Sequence, residues 1–181
     1  MLAQALSLAL DGAGVLPLDA YYRDRSSLPL AQRKTQNFDE PNACEHELLM
    51  EHLVLLHQGE TIARPVYDFA THTRLTDTVN VPASKYLILD GLFSLYWERA
   101  RQRTSFGVFV DVPFPVALER RILRDRRERG RTEEEIRVQF AATVEPMGRR
   151  YVLPSRDHAD LVVSGTDDPS ALQSAVLAQI S

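Results

Sequence analysis

The chain has 181 residues, a length that suits one domain covering residues 1–181. Hydrophobic residues make up 44% and charged residues 25%, which excludes a disordered or collagen-like chain. The lone cysteine, Cys44, excludes an intramolecular disulfide and fits a reducing compartment. No apolar run approaches the ~20 residues that span a bilayer, and no signal peptide is visible. The composition therefore predicts a cytoplasmic protein with no membrane partner.

The predicted elements alternate between helices and strands. In chain order they are a helix over Leu2–Leu10, a strand over Val15–Leu18, a polar loop with one helical turn over Tyr21–Pro41, a helix over Asn42–His57, hairpin strands over Ile62–Tyr67 and Thr76–Val81, strands over Lys85–Gly91 and Phe106–Val112, a helix over Pro115–Arg129, a helix starting at Thr132, a strand over Leu161–Val163 and a helix over Asp167–Ile180. This order predicts an α/β domain with a mostly parallel sheet.

The formal net charge of −4 argues against a nucleic-acid partner. Positive charge is nevertheless concentrated in residues 119–131, which carry seven arginines and three acids. Such a segment can be a solvated helix face, a stretch that binds RNA, or a lid whose guanidinium groups close over phosphate oxygens. The acidic chain and the lack of flanking aromatic residues favour the lid over RNA binding.

Three predicted strands end in acids, namely Asp19, Asp90 and Asp111. Each acid on its own would more often cap the helix that follows. Ligands in open α/β sheets bind beyond the carboxyl ends of the strands. If the acids converge there, they would suit a hydrated Mg²⁺ ion and a hydroxyl group to be deprotonated.

Four segments of this chain resemble, in the same order, motifs of the uridine-cytidine kinases, a branch of the phosphoribulokinase and uridine kinase family of P-loop kinases. The segments are residues 18–24 (LDAYYRD), 37–43 (NFDEPNA), 65–74 (PVYDFATHTR) and 120–131 (RRILRDRRERGR). The resemblance implies a three-layer P-loop kinase fold with a mostly parallel sheet. It also implies a small β-hairpin arm at about residues 62–82 and an arginine-rich helical lid at about residues 119–131.

The resemblance also implies an activity, which is transfer of a phosphoryl group from ATP to the 5′-hydroxyl of uridine or cytidine, with Mg²⁺. The implied partners are the nucleoside and ATP, together with assembly into a homo-oligomer. Asp19 would be the general base and, with Asp90, a metal contact. Asp90 stands where the family usually has glutamate, so its shorter side chain sets the carboxylate further back.

The remaining implied roles concern the substrates. The residues implied to bind the nucleoside are Asp39 at the ribose hydroxyls, Tyr67 and His72 at the pyrimidine, and Tyr22, Phe38, Arg121, Arg131 and Gln139 around them. Arg124 and Arg129 would contact phosphates, and Asp167 is loosely assigned to the adenine of ATP. Outside this context His72 would be an ordinary loop histidine and Tyr67 a packed aromatic residue.

One motif that a P-loop kinase needs, Gly-x-x-x-x-Gly-Lys-Ser/Thr, is absent from the 181 residues, and neither Lys34 nor Lys85 follows a glycine-rich loop. In the family this loop follows the central strand of the sheet, and its absence would expose two strand edges. With no capping residue before Leu2, we expect the strand and loop just upstream of Met1. Two other interpretations are a non-catalytic nucleoside-binding relative and a kinase for another small hydroxyl substrate, such as a sugar phosphate.

Overall fold

Six short strands lie in residues 2–180, the part of the chain that the computed structural model describes. They are β1 (Gly14–Pro17), β2 (Ile62–Asp68), β3 (Thr73–Val81), β4 (Leu87–Asp90), β5 (Val108–Asp111) and β6 (Leu161–Ser164). Strands β1 and β4 pair in parallel, as do β5 and β6, and β2 and β3 form an antiparallel hairpin. The parallel strands thus form two separate pairs where a single sheet was expected, and the hairpin is the predicted arm.

Eight α-helices accompany these strands within the same described residues. They are α1 (Leu2–Ala9), α2 (Leu30–Lys34), α3 (His46–His57), α4 (Glu98–Arg101), α5 (Phe114–Arg129), α6 (Glu133–Gln139), α7 (Glu145–Met147) and α8 (Pro169–Ile180). The short helix α4 was not predicted. Helix α3 begins four residues later than predicted, because Pro41–Ala43 form a 3₁₀ turn and Cys44 is extended. No helix of the described residues is long and apolar enough to cross a membrane.

The chain stays helical well beyond α6. The sequence predicted only where this helical stretch begins. Thr132 caps α6 through the expected capping box with Glu135. Beyond α6, π-helical turns over Phe140–Val144 and Gly148–Val152 flank α7. Pro146 has no backbone N–H, and in a regular α-helix its ring would crowd the carbonyl group one turn earlier. The wider π turns accommodate this proline within a helical path.

The main hydrophobic core lies between β1, α3 and the 3₁₀ turn Leu18–Tyr21. Leu16, Leu18 and Leu49 are almost completely buried there. The Tyr21 hydroxyl lies 2.8 Å from Nδ1 of His52, and burial lowers the pKa of that histidine, which favours its neutral form. The turn that leaves β1 is therefore fixed by packing on both sides, and this turn carries Asp19.

Candidate functional site

One elongated cavity of about 1350 Å³ extends from the carboxyl ends of β1 and β4, beside the arm and α5, along β4 and β5 as far as α1 and α8. All the predicted site residues except Asp167 line this cavity. They are Asp19, Tyr22, Phe38, Asp39, Tyr67, His72, Asp90, Arg121, Arg124, Arg129, Arg131 and Gln139. Residues of all four motif segments therefore border the same cavity, and their roles in it remain predictions.

Asp19 and Asp90 lie at the same edge of the β1–β4 pair, because Pro17 is opposite Asp90 in the parallel register. The Asp19 side chain is exposed on the cavity surface. The protein around the cavity nevertheless raises the pKa of Asp19 by partial desolvation, with the negative charge of Asp90 as the second cause, while Arg124 and Arg129 act in the opposite direction. Burial also raises the pKa of Asp90. A carboxylate with a raised pKa suits proton acceptance, and such a pair of carboxylates suits a hard cation.

Gly91 allows the two acidic strand ends to approach each other. A Cβ atom at this position would lie 2.4 Å from Cβ of Leu18, the buried residue just before Asp19. The φ angle of Gly91 is +156°, a conformation that L-residues rarely adopt. The glycine is thus required by both space and backbone conformation, and the position of Asp19 depends on it.

Asp39 is held in the cavity wall from two directions. Its backbone N–H donates to Oδ1 of Asn37 at 3.0 Å, and its own Oδ2 accepts from the Thr143 hydroxyl at 2.8 Å. Thr143 lies in the first π-helical turn, 104 residues further along the chain. The carboxylate also lies close enough to Arg121 to favour the charged form of that guanidinium group. Asp39 is therefore oriented, and its Oδ1 has no protein hydrogen bond among the described residues.

Aromatic side chains form the wall on the arm side of the cavity. The ring of His72 stacks on that of Phe38 with centroids 5.0 Å apart, and Tyr22 lies 5.3 Å from Tyr67. His72 has a φ angle of +52°, an uncommon conformation that often marks a functional position. The Tyr67 hydroxyl is buried without a hydrogen-bond partner among the described residues. This wall therefore offers a flat apolar surface.

Arg74 joins the arm to the body of the protein. Its guanidinium group donates to Oε2 of Glu45 at 2.5 Å, to the carbonyl of Tyr22 at 2.9 Å and to the carbonyl of Tyr21 at 3.1 Å. Because Tyr21 and Tyr22 directly follow Asp19 and Ala20, the arm is tied to the segment that carries the acid. The position of the aromatic wall relative to Asp19 is thus fixed by charge-assisted hydrogen bonds.

The arginine cluster, defined as Arg121, Arg124, Arg129 and Arg131, surrounds the carboxylate of Asp125. Asp125 is completely buried. Oδ1 accepts from Nε of Arg124 at 2.8 Å and lies 3.6 Å from Arg129. Oδ2 lies 3.5 Å from Arg121 and 3.7 Å from Arg131. One negative charge is thus shared by four guanidinium groups, which leaves an excess of positive charge at the cavity.

Gln139 links the cluster to helix α6. Its Oε1 accepts from Arg131 at 2.6 Å and from Arg121 at 3.4 Å. Helix α5 ends at Gly130, whose φ angle of +62° allows the chain to turn into α6. The predicted lid is therefore the end of a 16-residue helix together with this turn.

Two acids do not join the cavity. Asp167 is exposed in the turn after β6, where its N–H donates to the carbonyl of Ser164 at 3.1 Å. Asp111, whose convergence with the other two acids the sequence left open, does not line the cavity; it lies at the end of β5 and contacts Arg156 at 3.6 Å. Among residues 2–180, no three His, Cys, Asp or Glu side chains lie together as a metal site.

Three side chains at or near the cavity were not singled out from the sequence. Phe69, at the arm tip, is 43% exposed, lines the cavity and carries the guanidinium group of Arg129 5.4 Å above its ring. Its place inside the arm motif was a usable signal. Asp125 lies inside the arginine segment, where its acidic type among arginines was the signal. Thr143 gave no signal, since its link to Asp39 depends on the π-helical turn.

Comparisons with known proteins agree with this architecture. The family described as phosphoribulokinase/uridine kinase matches residues 7–169. The uridine kinases of Salmonella typhimurium and Salmonella typhi are 43% identical over 150 residues, which covers 83% of this chain and 70% of each relative.

Solved structures that resemble this fold include phosphoribulokinase from Rhodobacter spheroides, with a TM-score of 0.64 and 16% identity over 92% of this chain and 67% of that one. D-glycerate 3-kinase from Cryptococcus neoformans has a TM-score of 0.58 and 15% identity over 83% of this chain and 73% of that one. The predicted P-loop kinase-like α/β fold is thereby confirmed. Because the family matches residues 7–169 and the Salmonella uridine kinases are 43% identical, the chain belongs to the phosphoribulokinase/uridine kinase family.

Proposed function

We propose that this chain accepts a pyrimidine nucleoside and promotes transfer of the γ-phosphoryl group of ATP to its 5′-hydroxyl, giving the nucleoside monophosphate and ADP. The observation that carries the proposal is the shared cavity of Asp19, Asp39, Tyr67, His72 and Arg131. The similarity to the Salmonella uridine kinases supports the same assignment.

Asp19 is the proposed general base. It sits on a packed turn, so its position does not depend on a mobile loop. The raised pKa of Asp19 makes its carboxylate a stronger proton acceptor for the 5′-hydroxyl as that oxygen attacks phosphorus. Arg124 and Arg129 are near enough to this acid to affect its pKa, which puts their positive charge beside the reacting phosphoryl group.

Asp39 is the proposed ribose contact. One of its oxygens is occupied by Thr143, and the other is free to accept from a ribose hydroxyl. The pyrimidine would lie against the aromatic wall, where it could satisfy the unpaired hydroxyl of Tyr67. The stacked pair of Phe38 and His72 would close the far side of this pocket.

The chain's residues fit Mg²⁺ and the phosphates of ATP in part. Asp19 and Asp90 provide oxygen ligands of the kind that Mg²⁺ prefers, and the arginine cluster provides charge for phosphate oxygens. When bound, Mg·ATP supplies the phosphoryl group, and the metal neutralises part of its charge. The 181 residues contain no Gly-x-x-x-x-Gly-Lys-Ser/Thr loop to cradle the donor phosphates.

The missing loop motif favours one alternative function specifically. A relative that keeps the acceptor pocket and lacks the phosphate cradle would bind uridine or cytidine without turning them over. The two functions differ in whether 5′-monophosphate forms, since both require the same acceptor pocket.

The deciding experiment incubates the full chain with Mg²⁺, ATP and each of uridine, cytidine, adenosine and 5′-deoxyuridine, and separates products by chromatography. We expect monophosphate from uridine or cytidine and none from adenosine, while 5′-deoxyuridine competes without reacting because it lacks the attacked hydroxyl. Pyrimidine binding without product would favour the non-catalytic alternative. Indifference to all four nucleosides would contradict both functions.

A further inference from the structure

The arginine cluster is organised by a residue with no role so far, Asp125. Its carboxylate is completely buried, and charged groups are almost never fully buried unless they are paired. All four ion contacts of this carboxylate are to cavity-lining arginines. The charged partners of this carboxylate therefore all face the site.

The two carboxylate oxygens divide the cluster into two pairs. Oδ1 contacts Arg124 and Arg129, the two arginines whose charge acts on Asp19. Oδ2 contacts Arg121 and Arg131, which also meet at Oε1 of Gln139. Arg121 in turn interacts electrostatically with Asp39. One carboxylate thus spans the distance between the acid at the reacting hydroxyl and the acid at the ribose.

The hydrogen bonding of the two oxygens is unequal. Oδ1 accepts from Arg124 at 2.8 Å, whereas Oδ2 and Nε of Arg121 are both buried with no hydrogen-bond partner among the described residues. Buried polar atoms without hydrogen-bond partners destabilise the folded protein, which favours a rearrangement that pairs them. A small rotation of the carboxylate towards Arg121 would satisfy both atoms and would also alter its contact with Arg124.

We propose that Asp125 is a positioning residue that couples nucleoside binding to phosphate binding, because its one carboxylate orients both arginine pairs. The proposal rests on the function proposed above. A bound nucleoside fixes the side chains of Arg121 and Arg131. The carboxylate that they share with Arg124 and Arg129 then fixes this second pair. Phosphate oxygens therefore meet guanidinium groups that are already oriented. Such coupling is reciprocal, so phosphate tightens uridine binding by the same factor.

Two probes bound to the full chain test this coupling without turnover, namely uridine and inorganic triphosphate, measured by titration calorimetry. In the wild-type chain we expect saturating triphosphate to tighten uridine binding by roughly 5- to 150-fold, the usual range of such couplings. In Asp125→Asn the coupling should vanish, whatever the affinity for uridine alone, because no single carboxylate then orients both arginine pairs.

Glu128→Gln is the matched control. It removes the same charge from the same helix at a side chain that is 49% exposed and pairs only with Arg127 among the described residues. This variant should keep the wild-type coupling. Retained coupling in Asp125→Asn, or an equal loss in both variants, would overturn the proposal. A wild-type chain that binds both probes without any coupling would overturn it as well.

A second set of variants covers the case in which Asp125→Asn does not fold, as judged by circular dichroism. Arg124→Gln and Arg131→Gln, alone and combined, are titrated with triphosphate. These arginines contact different oxygens of Asp125, so we expect their effects to be non-additive. Additivity within threefold would overturn the role of Asp125. This cycle needs no nucleoside, so failure of the wild type to bind uridine would refute the proposed function separately.

Discussion

The two halves of the cavity wall are stabilised in different ways. The acceptor half, formed by the aromatic wall with Asp39, is mostly uncharged and is tied to the protein body by the three hydrogen bonds of Arg74. The arginine cluster carries excess positive charge around one buried acid and also contacts Gln139, a backbone carbonyl group and the Phe69 ring. The proposed nucleoside would therefore meet a preformed surface, whereas the cluster keeps positive charge that an anion can neutralise.

This contrast predicts that changes in the acceptor half alter nucleoside affinity, while changes near the reacting hydroxyl alter turnover. The largest expected effect lies at Asp19, the proposed general base. Asp19→Asn should lower turnover by about 10²–10⁴-fold, because the proton of the hydroxyl loses its acceptor. That loss equals about 3–5.5 kcal/mol of barrier. Uridine affinity, measured by calorimetry, should change by only a few-fold, and near-normal turnover would refute the assignment of the base.

The pH dependence of turnover is a second test of Asp19 as the general base. Only the deprotonated base can accept a proton, so the rate should fall as the pH drops through the raised pKa of Asp19. The acid limb of kcat/KM should therefore lie above the ordinary value of 3.8. Since Asp90 is the second cause of the shift, Asp90→Asn should move the limb to lower pH. A limb that stays in place would show that the two acids are not coupled.

Asp39 tests the acceptor half. A hydrogen bond to a charged group contributes about 1.5–3 kcal/mol, so Asp39→Asn should weaken uridine roughly 10- to 150-fold in calorimetric titrations. The matched control is a ligand, 2′,3′-dideoxyuridine, which has no ribose hydroxyls to donate. Its affinity should be the same for the variant and the wild type, and an equal loss for both ligands would argue against ribose recognition by Asp39.

Substitution of Gly91 tests the close approach of the strand ends that carry Asp19 and Asp90. Gly91→Ala should destabilise the protein by about 1–3 kcal/mol more than Gly59→Ala in denaturant titrations. Both glycines have φ angles in the range that L-residues rarely adopt, but only Gly91 would bring a Cβ atom against Leu18. Equal destabilisation by the two substitutions would show that the close approach is not important.

Tyr67 gives the smallest expected effect. Removal of its unpaired hydroxyl in Tyr67→Phe should leave the free protein as stable or slightly more stable. If the hydroxyl bonds to the pyrimidine, uridine affinity should fall by about 0.5–1.5 kcal/mol, or roughly 2- to 12-fold. Thermal denaturation and calorimetry on the same sample measure the two effects, and unchanged affinity would remove Tyr67 from base recognition.

The sequence predicted the local segments of this molecule better than the contacts between those segments. Ten of the twelve predicted residues that line the cavity lie in the four motif segments, whereas most of the other residues that line it were not singled out. Helix Asn42–His57 was predicted too long, because the 3₁₀ turn after Pro41 depends on packing around Cys44. Strand β3 begins at Thr73, earlier than predicted, because it pairs with Asp68.

The unpredicted features depend on contacts between distant segments. The hydrogen bond from Thr143 to Asp39 needs the π-helical turn, which no periodic pattern indicates. The separation of the β5–β6 pair from the β1–β4 pair is likewise a matter of strand pairing. Such features follow from tertiary structure and have no local signature.

The most direct test of the central claim is a calorimetric titration of the full chain with uridine. We predict one site per chain, with adenosine and 2′,3′-dideoxyuridine at least about tenfold weaker, as expected when hydrogen bonds from the ribose hydroxyls and the base are lost. Equal affinity for all three ligands, or no binding of uridine, would contradict the claim that this cavity is a pyrimidine nucleoside site.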